Sequence, residues 1–291
     1  MHKRFRWRYI EELIIKIMMI LSTILIAGSL AAILLTVIMK GLPGLNLAMI
    51  TQIPQGGYYL GKEGGILNAI IGSLYLAGGG TLLALLIGLP IALGLNSYAS
   101  DFQGHDTRWS ILVRLALDVM WGIPSIVYGA FGFILMLFIG MRASLLAGII
   151  VLAALELPIL TRAMDEFIRM MPVELEDAAL SLGATRLEVA STVIFRQLLP
   201  GLATAVLLAF GRGIGDAASV LFTAGYTDRI PTSLLDPTAS LPLAVFFQLG
   251  TPYPEVQARA YSAALVLTAI VLFTSLSSRW LSRRLGRFAV K

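Results

Sequence analysis

Apolar residues fall into six long runs, about residues 13–39, 66–95, 111–139, 143–160, 202–224 and 261–281, separated by polar segments. A helix crosses a bilayer with roughly 20 predominantly apolar residues. The pattern therefore predicts an all-α, polytopic membrane protein with about six transmembrane helices in a single domain, residues 1–291. The first run is too long for the apolar core of a signal peptide, so it is expected to be a retained helix. Pro124, inside the third run, is expected to kink or break its helix. Gly122, Ser125, Gly129 and Gly132 surround it. Such a site suits close helix packing, and equally an open pathway, because broken helices are tolerated at membrane depth where they line a cavity. Residues 161–200 form the longest charged interval and are expected to be an extramembrane loop.

Composition agrees with this reading. The chain is 57% hydrophobic and 13% charged, against about a quarter charged in soluble domains. It has no cysteine, which excludes disulfides, thiolate metal sites and thiol nucleophiles. The two histidines, His2 and His105, lie in a basic terminus and a polar loop and are expected to be surface residues.

The basic balance, with a pI near 9.6, suits either nucleic acid or a membrane topology signal. Its distribution decides. One side of the predicted spans holds Lys3, Arg4, Arg6, Arg8, Arg108, Arg114, Arg162, Arg169, Arg186, Arg196, Arg279, Arg283, Arg284, Arg287 and Lys291. The other holds Lys40, Lys62, Arg142, Arg229 and Arg259. Such a bias places both termini in the cytoplasm of a cell (inner) membrane protein. No cytoplasmic segment is long enough for a nucleic-acid-binding domain, so the expected partner is lipid.

Within the loop, Pro172 suits a first helical turn, and Glu174, Glu176 and Asp177 fall near its positive end. Gly183 is able to close the helix in the left-handed conformation. Leu175, Ala178, Ala179 and Leu182 recur at helical spacing. The segment thus reads as a short amphipathic helix, either lying on the membrane or its own chain, or docking into another protein.

Arg212 stands out because a charge deep in an apolar run is costly and marks function by default. Asp216 follows one turn later, on the same face of a continuous helix. The two read as an internal ion pair, or as a cationic site for an oxyanion in which Asp216 holds the guanidinium. Arginine suits the second role because its planar fork matches phosphate oxygens. Asp118, four residues after Arg114, is expected to neutralise it.

Asp177-Ala178-Ala179, then Gly183 three residues on, resembles the Glu-Ala-Ala loop of ATP-binding-cassette importer permeases. Asp replaces the family's Glu, Arg196 stands where a first proline is usual, and Leu199-Pro200-Gly201 keeps the later pattern. Gly64-Gly65-Ile66, Asn68 to Leu74, Gly122 to Gly132, Arg212 to Asp216, Ser240 to Leu243 and Ala263 to Leu267 resemble the phosphate-specific permeases. The last two resemble the PstA-type subunit more than the PstC-type.

The resemblance implies an importer permease fold and a coupling helix at Glu174, Glu176, Asp177, Ala178, Ala179 and Gly183. It implies a pathway involving Arg212, Asp216, Arg162, Pro124 and Ser125. By itself Arg162 reads as a topology-setting residue; the resemblance places it in the pathway. The implied partners are a second, PstC-type permease, two ATPase subunits that bind ATP and Mg, an external phosphate-binding protein, and phosphate.

No Gly-x-x-x-x-Gly-Lys-Ser/Thr loop is present, so ATP is expected to act through separate subunits, with no cofactor in this chain. His-Glu-x-x-His and Gly-x-Ser-x-Gly are missing too. Two rivals remain at this level. One is the same machine carrying sulfate, molybdate or a phosphonate. The other is an intramembrane enzyme acting on lipid phosphates, which would need acidic metal-binding clusters.

Overall fold

A computed structural model describes residues 2–55, 63–97 and 107–285. His105, Lys62, Arg287 and Lys291 lie outside them. The described chain is almost entirely helical: α1 (His2–Gly41), α2 (Leu47–Thr51), α3 (Leu67–Ser97), α4 (Arg108–Gly122), α5 (Ser125–Phe138), α6 (Leu145–Arg169), α7 (Val173–Ser181), α8 (Arg186–Gly215), α9 (Leu241–Leu249) and α10 (Pro254–Leu285). Helix α8 passes through a π-helical stretch at Val189–Ile194 without ending. The one ladder among the described residues pairs Pro54–Gln55 with Glu63–Gly64.

Helices α3 and α6 form the centre of the bundle. Along α3, Gly80, Ala84 and Gly88 recur every four residues as a stripe of small side chains. A Cβ at Gly80 would press on Leu152, and one at Gly88 would overlap the Thr161 hydroxyl. Small residues let helix backbones approach closely where lipid supplies no hydrophobic drive, and that is how α6 comes to be the most enclosed of the long apolar helices.

Five helices are long and apolar enough to span a membrane, and α4 with α5 makes a sixth if the bent pair counts as one crossing. The run at 111–139 is broken at Pro124, as the place of that proline predicted. It is two helices at 99° to each other, because Pro124 begins α5 in an extended conformation and Ile123 leaves the helix before it. Tyr128 steadies the break by donating its hydroxyl to the Met120 carbonyl at 2.8 Å. Arg114 of α4 meets Asp165 near the end of α6, whereas Gly132 of α5 meets Val151 near its start. The bent pair thus reaches both ends of α6.

Other boundaries move as well. The fourth run continues as helix to Arg169, because Met164 and Ile168 extend the buried stripe of α6. The fifth begins at Arg186 and its helix stops at Gly215, so residues 216–224 are not helical. The polar interval before the last span contains α9, whose Leu241, Leu243 and Ala244 are buried.

The end of the bundle opposite α7 is tied by hydrogen bonds between distant segments. The Asn68 amide donates to the Thr227 carbonyl, Arg259 to Gly65 and Ser262 to Gly41. Helix α1 packs against α10 and, over its described residues, exposes most of its surface, as a helix bathed in lipid does.

Candidate functional site

Arg212 lies in the last turn of α8, where the helix dipole favours a cation. Its neighbour Gly213 packs on Glu156, midway along α6, which sets Arg212 at mid-height of the most enclosed helix. Arg212 is nonetheless exposed on the surface of the single chain. The expected pairing with Asp216 is corrected. Asp216 caps the helix in an extended conformation (φ −83°, ψ 117°), so the two residues do not share a helical face, and no ion pair joins them. The Asp216 carboxylate instead accepts the Ser219 N–H at 2.8 Å and shapes the turn that follows.

That turn is the unwound element of the site. Residues 216–224 run on from the end of α8 toward the start of α6, against α5 and α6, with Ser219, Val220, Thr223 and Ala224 buried. Their backbone is satisfied from outside: the Thr223 carbonyl accepts from Ser144, and that of Ala224 from Thr238. Irregular backbone at depth survives only where protein or a cavity meets its polar groups. Helix α5 supplies the close wall, since a Cβ at Gly129 would overlap the Ala218 and Ser219 carbonyls. Pro124 and Ser125 start this helix, Pro124 exposed and Ser125 half-buried. The turn after Asp216 and the first half of α5 thus form one region.

Arg162 belongs to another. It pairs with Asp118 at 2.8 Å and with Asp165 at 3.2 Å. Asp165 has no exposed surface and gathers four donors: Arg114 at 2.8 Å, Arg162, Arg169 at 3.8 Å, and the Asn96 amide at 2.8 Å. Arg114 therefore pairs with Asp165, not with Asp118 as its spacing suggested. This network joins α3, α4 and α6 one turn before α6 ends. Six residues separate Arg162 from Glu156, about 9 Å along the helix.

The loop helix α7 starts after Pro172 and has no buried residue. Gly183 follows it at φ +87°. The Gly183 N–H bonds to Leu180 and that of Ala184 to Ala179, the paired closure that a left-handed residue permits. The expected single apolar face divides. Leu175 and Ala179 turn toward the chain itself, where Ala179 meets the core near Val189, whereas Val173, Ala178 and Leu182 face outward beside Glu174 and Asp177. Glu176 is half-buried, and burial first, then the adjacent Asp177, raises its carboxyl above the usual range against the pull of Arg186.

Two acidic residues escaped the sequence reading. Glu156 is fully buried and was hidden in the apolar run 143–160; its signal was the same one that exposed Arg212, a charge inside that run. Asp165 fell within the expected loop and gave no signal until α6 was seen to continue. Among the described residues no cluster of His, Cys, Asp and Glu fits a metal ion.

Residues 91–287 match the family of binding-protein-dependent transport system inner membrane components. The chain is 36% identical over 250 residues to a phosphate transport system permease protein PstA of Xylella fastidiosa, covering 86% of this chain and 84% of the relative. A PstA of Haemophilus influenzae is 31% identical over 276 residues, 95% of each chain. Among solved structures, a chain of the MetNI methionine ABC transporter in an inward-facing form matches with a TM-score of 0.62 at 17% identity, over 75% of this chain and 95% of that one. That likeness concerns the fold.

Proposed function

The chain belongs to the family of binding-protein-dependent transport system inner membrane components, and from that premise we propose that it is the PstA-type permease subunit through which an ATP-driven importer moves inorganic phosphate. It is a multi-pass membrane protein and not an enzyme; ATP hydrolysis is done by separate subunits. The intramembrane-enzyme reading falls with the family assignment, and the relatives' names favour phosphate over another oxyanion.

The observation that carries the site is Arg212: a guanidinium at mid-height of the bundle, beside unwound backbone, exposed on the single chain. Lipid is a poor neighbour for a charge at that depth. A second, PstC-type permease covers that face, and the anion passes between the two chains. Helix α7 docks into one of two ATPase subunits through its outward residues. It lies in the cytoplasm with both termini, an orientation that the arginine-rich ends support. A phosphate-loaded binding protein meets the opposite end. Closure of the ATPases moves α7 and the adjoining α6, whose Asp165 network carries the shift to the broken helix α4.

Arg212 and the PstC-type chain supply positive charge and hydrogen-bond donors to the anion, and the non-helical turn after Asp216 is free to rearrange without breaking a helix. The test is ATP hydrolysis by the purified importer with its binding protein. Phosphate should stimulate it, and sulfate, molybdate and phosphonates should leave it at the basal rate. Stimulation by sulfate alone would reassign the cargo.

A further inference from the structure

Glu156 is enclosed by the chain's own core in the middle of α6. The one hydrogen-bonding group beside the carboxyl is the Thr81 hydroxyl of α3, and the two do not meet in well-formed hydrogen-bond geometry. A fully buried carboxyl with no ion-pair partner avoids the cost of an unsolvated charge by holding its proton. The charged groups that act on it are Asp216 and Arg212, from the end of α8. From α3 only the uncharged Thr81 faces it. On α4 and α5, Arg114 and Asp118 are engaged with Asp165 and Arg162, and Tyr128 with the Met120 carbonyl.

Gly213 is the lid on this acid. Any Cβ there would overlap a Glu156 oxygen, so α8 seals the carboxyl with the residue next to Arg212. Parting of α6 from α8 uncovers the acid beside the arginine. Asp216, which Arg212 lacks as a partner, is held by Ser219 instead.

We propose that Glu156 is a switchable counter-charge for Arg212. While α6 and α8 are closed, it is a neutral acid. When they part, its proton passes to the water that enters, and the carboxylate competes with the transported anion for the guanidinium, which hastens release. On closure the proton returns from water. Glu156 is a positioning residue that acts through Arg212, and the inference rests on the reading of Arg212 as the residue that meets the anion.

Phosphate uptake by the complete importer in proteoliposomes is compared between Glu156→Gln and the unmodified complex across a range of pH. The ratio of the two cancels the titration of phosphate and of every other subunit. Glutamine imitates the neutral acid and cannot ionise. The ratio should be roughly tenfold below one at about pH 6, where the closed acid is neutral and the opened one ionises, and should rise toward one by about pH 8.5, where the carboxylate stays charged in both arrangements. A ratio constant with pH overturns the proposal, because a packing role does not titrate.

If the glutamine variant fails to accumulate, infrared difference spectra of the unmodified complex decide. A protonated-carboxyl band, assigned by its shift in Glu156→Asp, should differ in intensity between the nucleotide-free complex and the complex holding a non-hydrolysable ATP analogue; an identical band in both overturns the proposal. Arg212→Gln separates the two readings. Normal uptake by that variant removes the anion role of Arg212, whereas dead uptake with a flat Glu156→Gln ratio removes only the counter-charge.

Discussion

At the residue scale the central fact is a pairing that does not form. Four-residue spacing makes Arg212 and Asp216 partners only while the helix continues, and it stops at Gly215. With no ion pair between them, Arg212→Gln strands no partner. Membrane abundance of Arg212→Gln should equal that of the unmodified chain and its phosphate uptake should be lost, with the Arg212→Gln, Asp216→Asn double variant equally inactive. Uptake regained in the double variant would return Arg212 to a packing role. Asp165 gives the opposite expectation. Arg114 is nearly buried against it, and removing one partner of a buried pair typically costs about 3–5 kcal/mol. Asp165→Asn should unfold at a clearly lower temperature in detergent, and an unchanged unfolding temperature would show the network to be dispensable.

At the scale of elements, α7 invites a test through its C-terminal glycine. Gly183 sits at φ +87°, and a Cβ added there would meet nothing within 4 Å. Bulk is therefore harmless there and backbone conformation is what matters, at about 1–2 kcal/mol for a side-chain-bearing residue. Gly183→Val should weaken co-purification of the ATPase, and Gly183→Asn, tolerant of the left-handed region, should largely keep it. Equal recovery of the ATPase in both would detach this cap from docking. Hydropathy made the helices legible because lipid demands long apolar runs; it blurred their ends because residues beyond those runs still pack. Met164 and Ile168 carry α6 past its apolar run, and Thr223 and Ala224 are buried without being helical. Pro124 was readable as a break, but its 99° bend depends on how α5 seats against Ser219, a contact between distant segments. The same holds for the Asp165 network, whose members span residues 96 to 169.

At the scale of the whole molecule, the bundle gathers Arg114, Arg162 and Arg169 near the end that carries α7, and ties Arg259 to Gly65 at the other. The account makes the first end cytoplasmic. The chain has no cysteine, so single cysteines at the exposed positions Ser181 and Ser233 are clean probes. An impermeant thiol reagent should label position 233 and not 181 in intact cells; the reverse would invert the topology. The most direct measurement is accumulation of radiolabelled phosphate in proteoliposomes holding the assembled importer, with its binding protein outside and ATP within. The account predicts ATP-dependent phosphate accumulation that Arg212→Gln abolishes without changing how much complex is present. Accumulation of sulfate in place of phosphate, or of phosphate undiminished in that variant, would contradict it.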